Sequence, residues 1–114
     1  MKTLDQVILK QKDQQAIRAA ADIRRRNFPV EEVILFGSKA RGDDDHESDI
    51  DLLVLTNRKL TWQERDQLID SIFPVQLERD VVISLLIIPK DQWEDSEYRI
   101  LLIHQEIEKD GIAA

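Results

Sequence analysis

Two aspartates separated by one residue, Asp49 and Asp51, stand in the stretch Ser-Asp-Ile-Asp-Leu-Leu-Val. In an extended strand, residues two apart point the same way, so both carboxylates share one face while Ile50, Leu52 and Val54 turn to the core. Aspartate is a poor strand former and like charges repel, which makes the pair costly unless a cation is shared between them. Hard oxygen ligands favour magnesium, commonly held by one or two carboxylates together with substrate phosphates. Upstream, Gly37-Ser38-Lys39-Ala40-Arg41-Gly42 gathers two of the chain's three glycines. A glycine at a strand exit allows close backbone approach, the start of a helical turn offers amides to an anion, and Ser38 adds a hydroxyl. Lys39 and Arg41 are the cations beside that turn and the candidates for triphosphate contacts. The segment is not a P-loop, because it lacks the Gly-Lys-Ser/Thr ending. A plain strand-to-helix turn is the competing reading. The acidic run Asp43, Asp44, Asp45 and Glu47 reads as a solvated loop, with His46 as surface decoration within it.

These residues need elements to hold them. Residues 3–27 contain no glycine or proline, and Leu4, Val7, Ile8, Ala16, Ile17, Ala20 and Ile23 recur at helical spacing, interrupted near Asp13. One long helix or two short ones are expected, ended by Pro29. Residues 33–36 and 49–55 read as short buried strands on either side of the glycine turn. Thr61-Trp-Gln-Glu64 is a capping box, which predicts a helix over 62–72 with Trp62, Leu68, Ile69 and Ile72 as its apolar face and Pro74 as its stop. Residues 81–88 form the most continuous apolar run and predict a third strand, closed by Pro89. A last helix is expected over 96–109, with Ile100, Leu101, Ile103, His104 and Ile107 inward and Gly111 as a left-handed cap. The sum is α+β, a small mixed sheet with helices packed on it. Trp62, Trp93 and Tyr98 are expected to close the edges of the core.

The chain has 114 residues, room for one domain spanning 1–114. Net charge is −7, which argues against general nucleic-acid binding, since that affinity comes mainly from lysine and arginine. The one basic cluster, Arg24-Arg25-Arg26, falls near a helix end, where cations offset the dipole. With no cysteine there is no disulfide framework, thiolate metal site or cysteine nucleophile. No apolar run reaches the roughly 20 residues of a membrane helix, and the first residues lack the apolar core of a secretory signal. A soluble protein of the cytoplasm is expected.

Gly-Ser-Lys-Ala-Arg-Gly followed by Ser-Asp-Ile-Asp-Leu-Leu-Val resembles the signature of the nucleotidyltransferase superfamily that includes DNA polymerase beta. Gly37, Ser38, Asp49 and Asp51 occupy the pattern, flanked by Phe36, Arg41, Gly42 and Ser48. The small size resembles the minimal nucleotidyltransferases. The resemblance implies that Asp49 and Asp51 bind magnesium and that a hydroxyl attacks the α-phosphorus of a nucleoside triphosphate, releasing pyrophosphate. It further implies transfer of AMP from ATP, and a HEPN-type toxin as partner in a toxin–antitoxin pair. Two alternatives stay open: an antitoxin that only binds, and transfer to a small molecule as in aminoglycoside nucleotidyltransferases. Active relatives carry a third carboxylate on the next long strand. Asp80 is the only acid beside that strand here, whereas the register of Ser84 to Trp93 against the polymerase-beta segment puts Ser84 in the slot. Residues four apart on a strand lie roughly 13 Å apart, so the two cannot share one position.

Overall fold

The computed structural model describes residues 1–26, 28–45 and 48–114, so His46 and Glu47 of the acidic loop lie outside the described residues. Five strands, β1 (Lys2–Thr3), β2 (Val30–Phe36), β3 (Ile50–Thr56), β4 (Ile83–Pro89) and β5 (Ile112–Ala113), form one mixed sheet in the order β1-β5-β2-β3-β4. The pair β2–β3 is antiparallel and β3–β4 is parallel. The helices are α1 (Gln11–Ala21), α2 (Ser38–Arg41), α3 (Trp62–Arg79), α4 (Lys90–Trp93), α5 (Ser96–Arg99) and α6 (Leu102–Asp110). The expected α+β architecture is the observed one. No described helix is long and apolar enough to cross a membrane.

Central strand β3 is apolar on both faces because both are covered. Ile50, Leu52 and Val54 pack with Ala16, Ile17 and Ala20 of α1 and Leu68, Ile72 and Val75 of α3. Leu53 and Leu55 pack on the other side with Ile34, Ile88, Trp93 and Ile107. Burying this much aliphatic surface is the main stabilising term of so small a domain.

Five expectations need correction. Pro74 does not stop α3, which runs on to Arg79. Pro74 lies on the exposed side of the helix, so the bond it cannot donate frees a solvent-facing carbonyl, while Ile72 and Val75 stay buried on either side of it. Trp62 and Ile69 are not part of the α3 core face; Trp62 is 80% exposed. The N-terminal segment is a short edge strand, a 3₁₀ turn over Leu4–Gln6 and then α1, because Lys2 and Thr3 pair with Ile112 and Ala113. Val7 is extended, and Ile8 is fully exposed between the turn and α1.

The last helix is broken at Ile100 and Leu101, with Leu101 extended, and Ile100 to Ile103 are outside the core. Tyr98 and His104 would stand about 120° apart on a continuous helix. The break lets both rings reach Trp93, at 5.7 Å and 4.1 Å between centroids. Gly111 is extended rather than left-handed; a Cβ there would meet the Ile107 carbonyl oxygen at 2.5 Å. The Thr61 capping box forms as read, with Thr61 accepting from the Glu64 N–H and Glu64 accepting from the Thr61 N–H.

Candidate active site

The site is built where β2 ends. Gly37 adopts φ 76° and ψ −158°, a region open essentially only to glycine. A Cβ at this position would also fall 2.3 Å from Asp51 Oδ2, so the backbone passes directly over that carboxylate. Ser38–Arg41 then make a single helical turn, closed by left-handed Gly42, whose N–H donates to the Ser38 carbonyl at 2.9 Å. Both glycines of the motif are thus required by backbone shape, and Gly37 by space as well.

Asp51 sits opposite Phe36 in the β2–β3 ladder, and Asp49 immediately precedes β3. Asp49 is exposed and Asp51 half-buried. Burial pushes the Asp51 carboxyl above the usual carboxylate range; the Asp49 charge adds to that, and Arg41 opposes both. Two neighbouring carboxylates whose charge the chain itself only partly offsets are the oxygen donor set that a hard divalent cation takes. The space beside Asp51 Oδ2 is kept clear by the missing Cβ of Gly37. Asp49 and Asp51 therefore fit Mg²⁺ as ligands.

The cations divide. Lys39 is turned inward, its side chain 3% exposed, with Nζ 2.9 Å from Asp13 Oδ2 and 3.0 Å from Asp44 Oδ2. Burial works against its charge, but the two carboxylates outweigh burial and hold its pKa above the ordinary lysine value. The expectation that Lys39 contacts a triphosphate is corrected on this point: its ammonium is spent on fixing α1 and the acidic loop to the turn. Asp13 was the residue missed, and its signal was the interruption it makes in the apolar face of α1. Asp44 likewise leaves the solvated-loop reading, its carboxyl held below the usual range by Lys39. Arg41 stays exposed, 3.1 Å from Asp43, with its charge felt by Asp51. It is the cation of the motif that remains at the surface beside the pair.

Strand register separates the two candidates for the third position. Asp51 pairs with Ser84 in the parallel β3–β4 ladder, and the Ile50 N–H donates to the Val82 carbonyl at 2.9 Å. Residues 82 and 84 therefore run beside 49 and 51 and share their face. Asp80 lies ahead of the strand as the left-handed C-cap of α3 (φ 54°), its carboxylate fully exposed and 3.7 Å from Lys12 of α1. The structure does not bring Asp80 to the pair; the helix-to-strand turn spends it as a cap. His104 is buried and stacked on Trp93, away from this site, and Trp93 and Tyr98 close a core edge as read.

Comparison with known proteins agrees with this geometry. A curated relative from Methanocaldococcus jannaschii, named "Putative protein adenylyltransferase MJ0141", is 43% identical over 61 residues, which are 54% of this chain and 62% of that protein. The match thus spans less than two thirds of the relative's length. Among solved structures, a toxin–antitoxin with AMP-PNP superposes with TM-score 0.58 at 20% identity, over 91% of this chain and 72% of that one. The complex of a tri-AMPylated Shewanella oneidensis HEPN toxin with its MNT antitoxin gives TM-score 0.55 at 20% identity, over 89% and 70%. These likenesses show the fold. The nucleotidyltransferase domain family matches residues 17–110, from within α1 to the end of α6 and across the whole candidate site. The chain belongs to the nucleotidyltransferase domain family.

Proposed function

We propose that this chain is a Mg²⁺-dependent nucleotidyltransferase that moves AMP from ATP onto a hydroxyl of a HEPN-type partner protein. One observation carries the reading: Asp51, with Asp49 just ahead of it, lies directly under the Gly37 backbone, where an aspartate pair and a glycine turn meet on one surface. Asp49 and Asp51 would hold the ion, and the turn with Ser38 and Arg41 would seat the phosphates. The bound ion would draw charge from the phosphoryl oxygens and ease loss of the hydroxyl proton. The hydroxyl oxygen attacks the α-phosphorus, the bond to the bridging oxygen breaks, and pyrophosphate leaves with that electron pair. The names of the Methanocaldococcus relative and of the Shewanella complex support adenylyl transfer to a protein and a toxin as acceptor.

Incubation with α-labelled ATP, Mg²⁺ and the co-purifying partner should place label on the partner. Asp49→Asn with Asp51→Asn should remove it, and label that persists in that variant would sink the metal assignment. The absence of an acid at 82 and 84 favours a second reading, an antitoxin that binds without transfer. An intact complex with no label would be its result.

A further inference from the structure

Strand β4 is an edge of the sheet: β3 pairs with one side of it, and among the described residues no strand pairs with the other. The Ile50 N–H donates to the Val82 carbonyl. In this parallel ladder Val82, Ser84 and Leu86 therefore turn their main chain to β3, and Ile83, Leu85 and Ile87 turn theirs outward. The Ile83 N–H shows it, donating away from β3 to Gln76 Oε1 of α3 at 2.9 Å. Leu85 and Ile87 follow, and Pro89, with no N–H to offer, ends the row. Proteins commonly blunt such an edge with a lysine, a bulge or a covering element. β4 reads Ile-Ser-Leu-Leu-Ile-Ile-Pro, without a charge, and its ladder to β3 runs without a register shift.

The helix above this edge is apolar toward it as well. Around α3, at about 100° per residue, Ser71 lies on the α1 side, its carbonyl accepting from Arg26, and Gln76 lies over β4. Ile69 and Phe73 stand about 160° from Ser71 and just beyond Gln76, on the side turned away from α1. Trp62 and Leu77 continue that stripe, and all four are open: Ile69 is 46%, Phe73 56%, Leu77 68% and Trp62 80% exposed. An aromatic side chain carries about 150–250 Å², so the two rings alone leave roughly 300 Å² of apolar surface, the size at which a patch on a single chain marks a contact.

From this we infer that the β4 edge and the outer stripe of α3 form the interface of a two-fold dimer of this chain, in which the two β4 strands pair antiparallel and join the sheets into one. A row of outward main-chain donors and acceptors takes an extended strand, and an antiparallel second β4 is complementary to the first by symmetry. α3 spans about 27 Å and β4 about 23 Å, and the tight turn at 80–82 joins them, which sets their middles level. The axis that pairs Leu85 with its copy therefore brings the Ile69 and Phe73 stripes of the two α3 helices together. Charge agrees with a second copy. Asp80 stands before β4 and Lys90 after it, so antiparallel strands place opposite charges at each end, and the stretch between is neutral in a chain of net charge −7. The stripe and the strand edge together supply surface toward the roughly 800 Å² that a stable interface takes from each partner. The two aspartate pairs then lie at opposite ends of the interface.

Sedimentation equilibrium and residue-resolved amide hydrogen exchange on the purified full chain test this. Wild type should show twice the mass of one chain, falling toward one on dilution, and exchange at the Leu85 and Ile87 amides should slow as the dimer fills. Phe73→Lys and, separately, Leu77→Lys change exposed side chains; each should keep the fold and weaken the dimer at least about tenfold. Ile8→Lys, a fully exposed apolar residue outside this edge, should leave the dimer unchanged. The exchange measurement needs no variant. A chain that is monomeric at every concentration it reaches in solution would overturn the inference. So would a dimer that both lysine variants leave intact, or one whose Leu85 and Ile87 exchange is indifferent to dilution. A monomer in which those two amides are protected only when the co-purifying partner is added would overturn it too, by giving the edge to a foreign strand.

Discussion

Two groups of charges lie beside the same glycine turn, and they are treated in opposite ways. Lys39 with Asp13 and Asp44 is buried and matched inside the chain, two carboxylates on one ammonium. Asp49 and Asp51 stand side by side, and among the described residues Arg41 is the cation whose field offsets part of the charge at Asp51. Burying a charge is tolerable when it is paired and hydrogen-bonded, and expensive otherwise. The first group therefore reads as structure: it ties α1, α2 and the start of the acidic loop together. The second is left unneutralised by the fold, and the chain tolerates that cost at the one place where a cation and phosphates would remove it.

The comparison breaks most visibly at the pair. Asp49→Asn with Asp51→Asn should lower Mg²⁺-dependent ATP binding and transfer by at least about 10³, more than roughly 4 kcal/mol, measured by titration calorimetry and the labelling gel. Its effect on folding should have the opposite sign. The Asp51 carboxyl is raised by burial and by Asp49. Ionising it therefore opposes the fold at neutral pH, and that cost disappears as pH falls and the group protonates. The variant should melt at a higher temperature than wild type at pH 7, and the gap should close in acid. A lower melting temperature at pH 7 would mean that the pair serves the fold.

Lys39→Met is the converse test. It leaves Asp13, whose side chain is 8% exposed, and Asp44 without their ammonium. Breaking a buried pair from one side costs about 3–5 kcal/mol, so the denaturant midpoint should drop sharply. Replacing Lys39 and Asp13 together by Met and Leu should recover much of that. A loss below about 1 kcal/mol would show that the triad is solvated and that Lys39 is free to act at the site. Gly37→Ala comes next. The backbone conformation alone costs of order 1–3 kcal/mol in a non-glycine residue, and the new Cβ crowds Asp51 Oδ2. Stability should fall by about 2 kcal/mol with metal binding weakened in parallel, whereas Gly42→Ala, which has open space around it, should cost stability alone.

How much of this could be read beforehand follows from the range of the interactions. The aspartate pair and the glycine turn were legible because their chemistry is local: two positions on one strand, one strained residue at a strand exit. The buried role of Lys39 was not, because its partner Asp13 is 26 positions away and nothing in the motif says which cation turns inward. Pro74 was misread as a stop because the sequence does not show that its side of the helix faces water, where the lost bond is cheap. The break at Ile100 and Leu101 follows from the Trp93 stack, a tertiary demand that overrides an apolar pattern with helical spacing. The third-carboxylate question needed the β3–β4 register, which places Ser84 beside Asp51.

An exposed pair supplies the smallest test, and the reference against which the other two groups are measured. Arg58 holds Glu64 through its two terminal guanidinium nitrogens, Nη1 and Nη2, while Glu64 also accepts from the Thr61 N–H at the start of α3. Arg58 first, and the Thr61 backbone second, lower the Glu64 carboxyl from 4.5 to about 2. Its folded value lies below its unfolded one, so the stabilisation is complete above about 4.5 and is lost as pH falls toward about 2. Removing the cap by Thr61→Ala should cost about 1 kcal/mol at all these pH values. Glu64→Gln keeps an acceptor for the capping box and removes only the charge. Urea midpoints of wild type and Glu64→Gln should therefore differ slightly at pH 7 and converge below pH 4.5. Salt should shrink the difference, since an exposed pair is screened. The Lys39→Met deficit should survive the same salt, because the ammonium it removes is shielded from solvent. If salt shrank both deficits equally, the division between a buried structural group and an open functional one would fail at its first premise, that these charges sit in different dielectric surroundings.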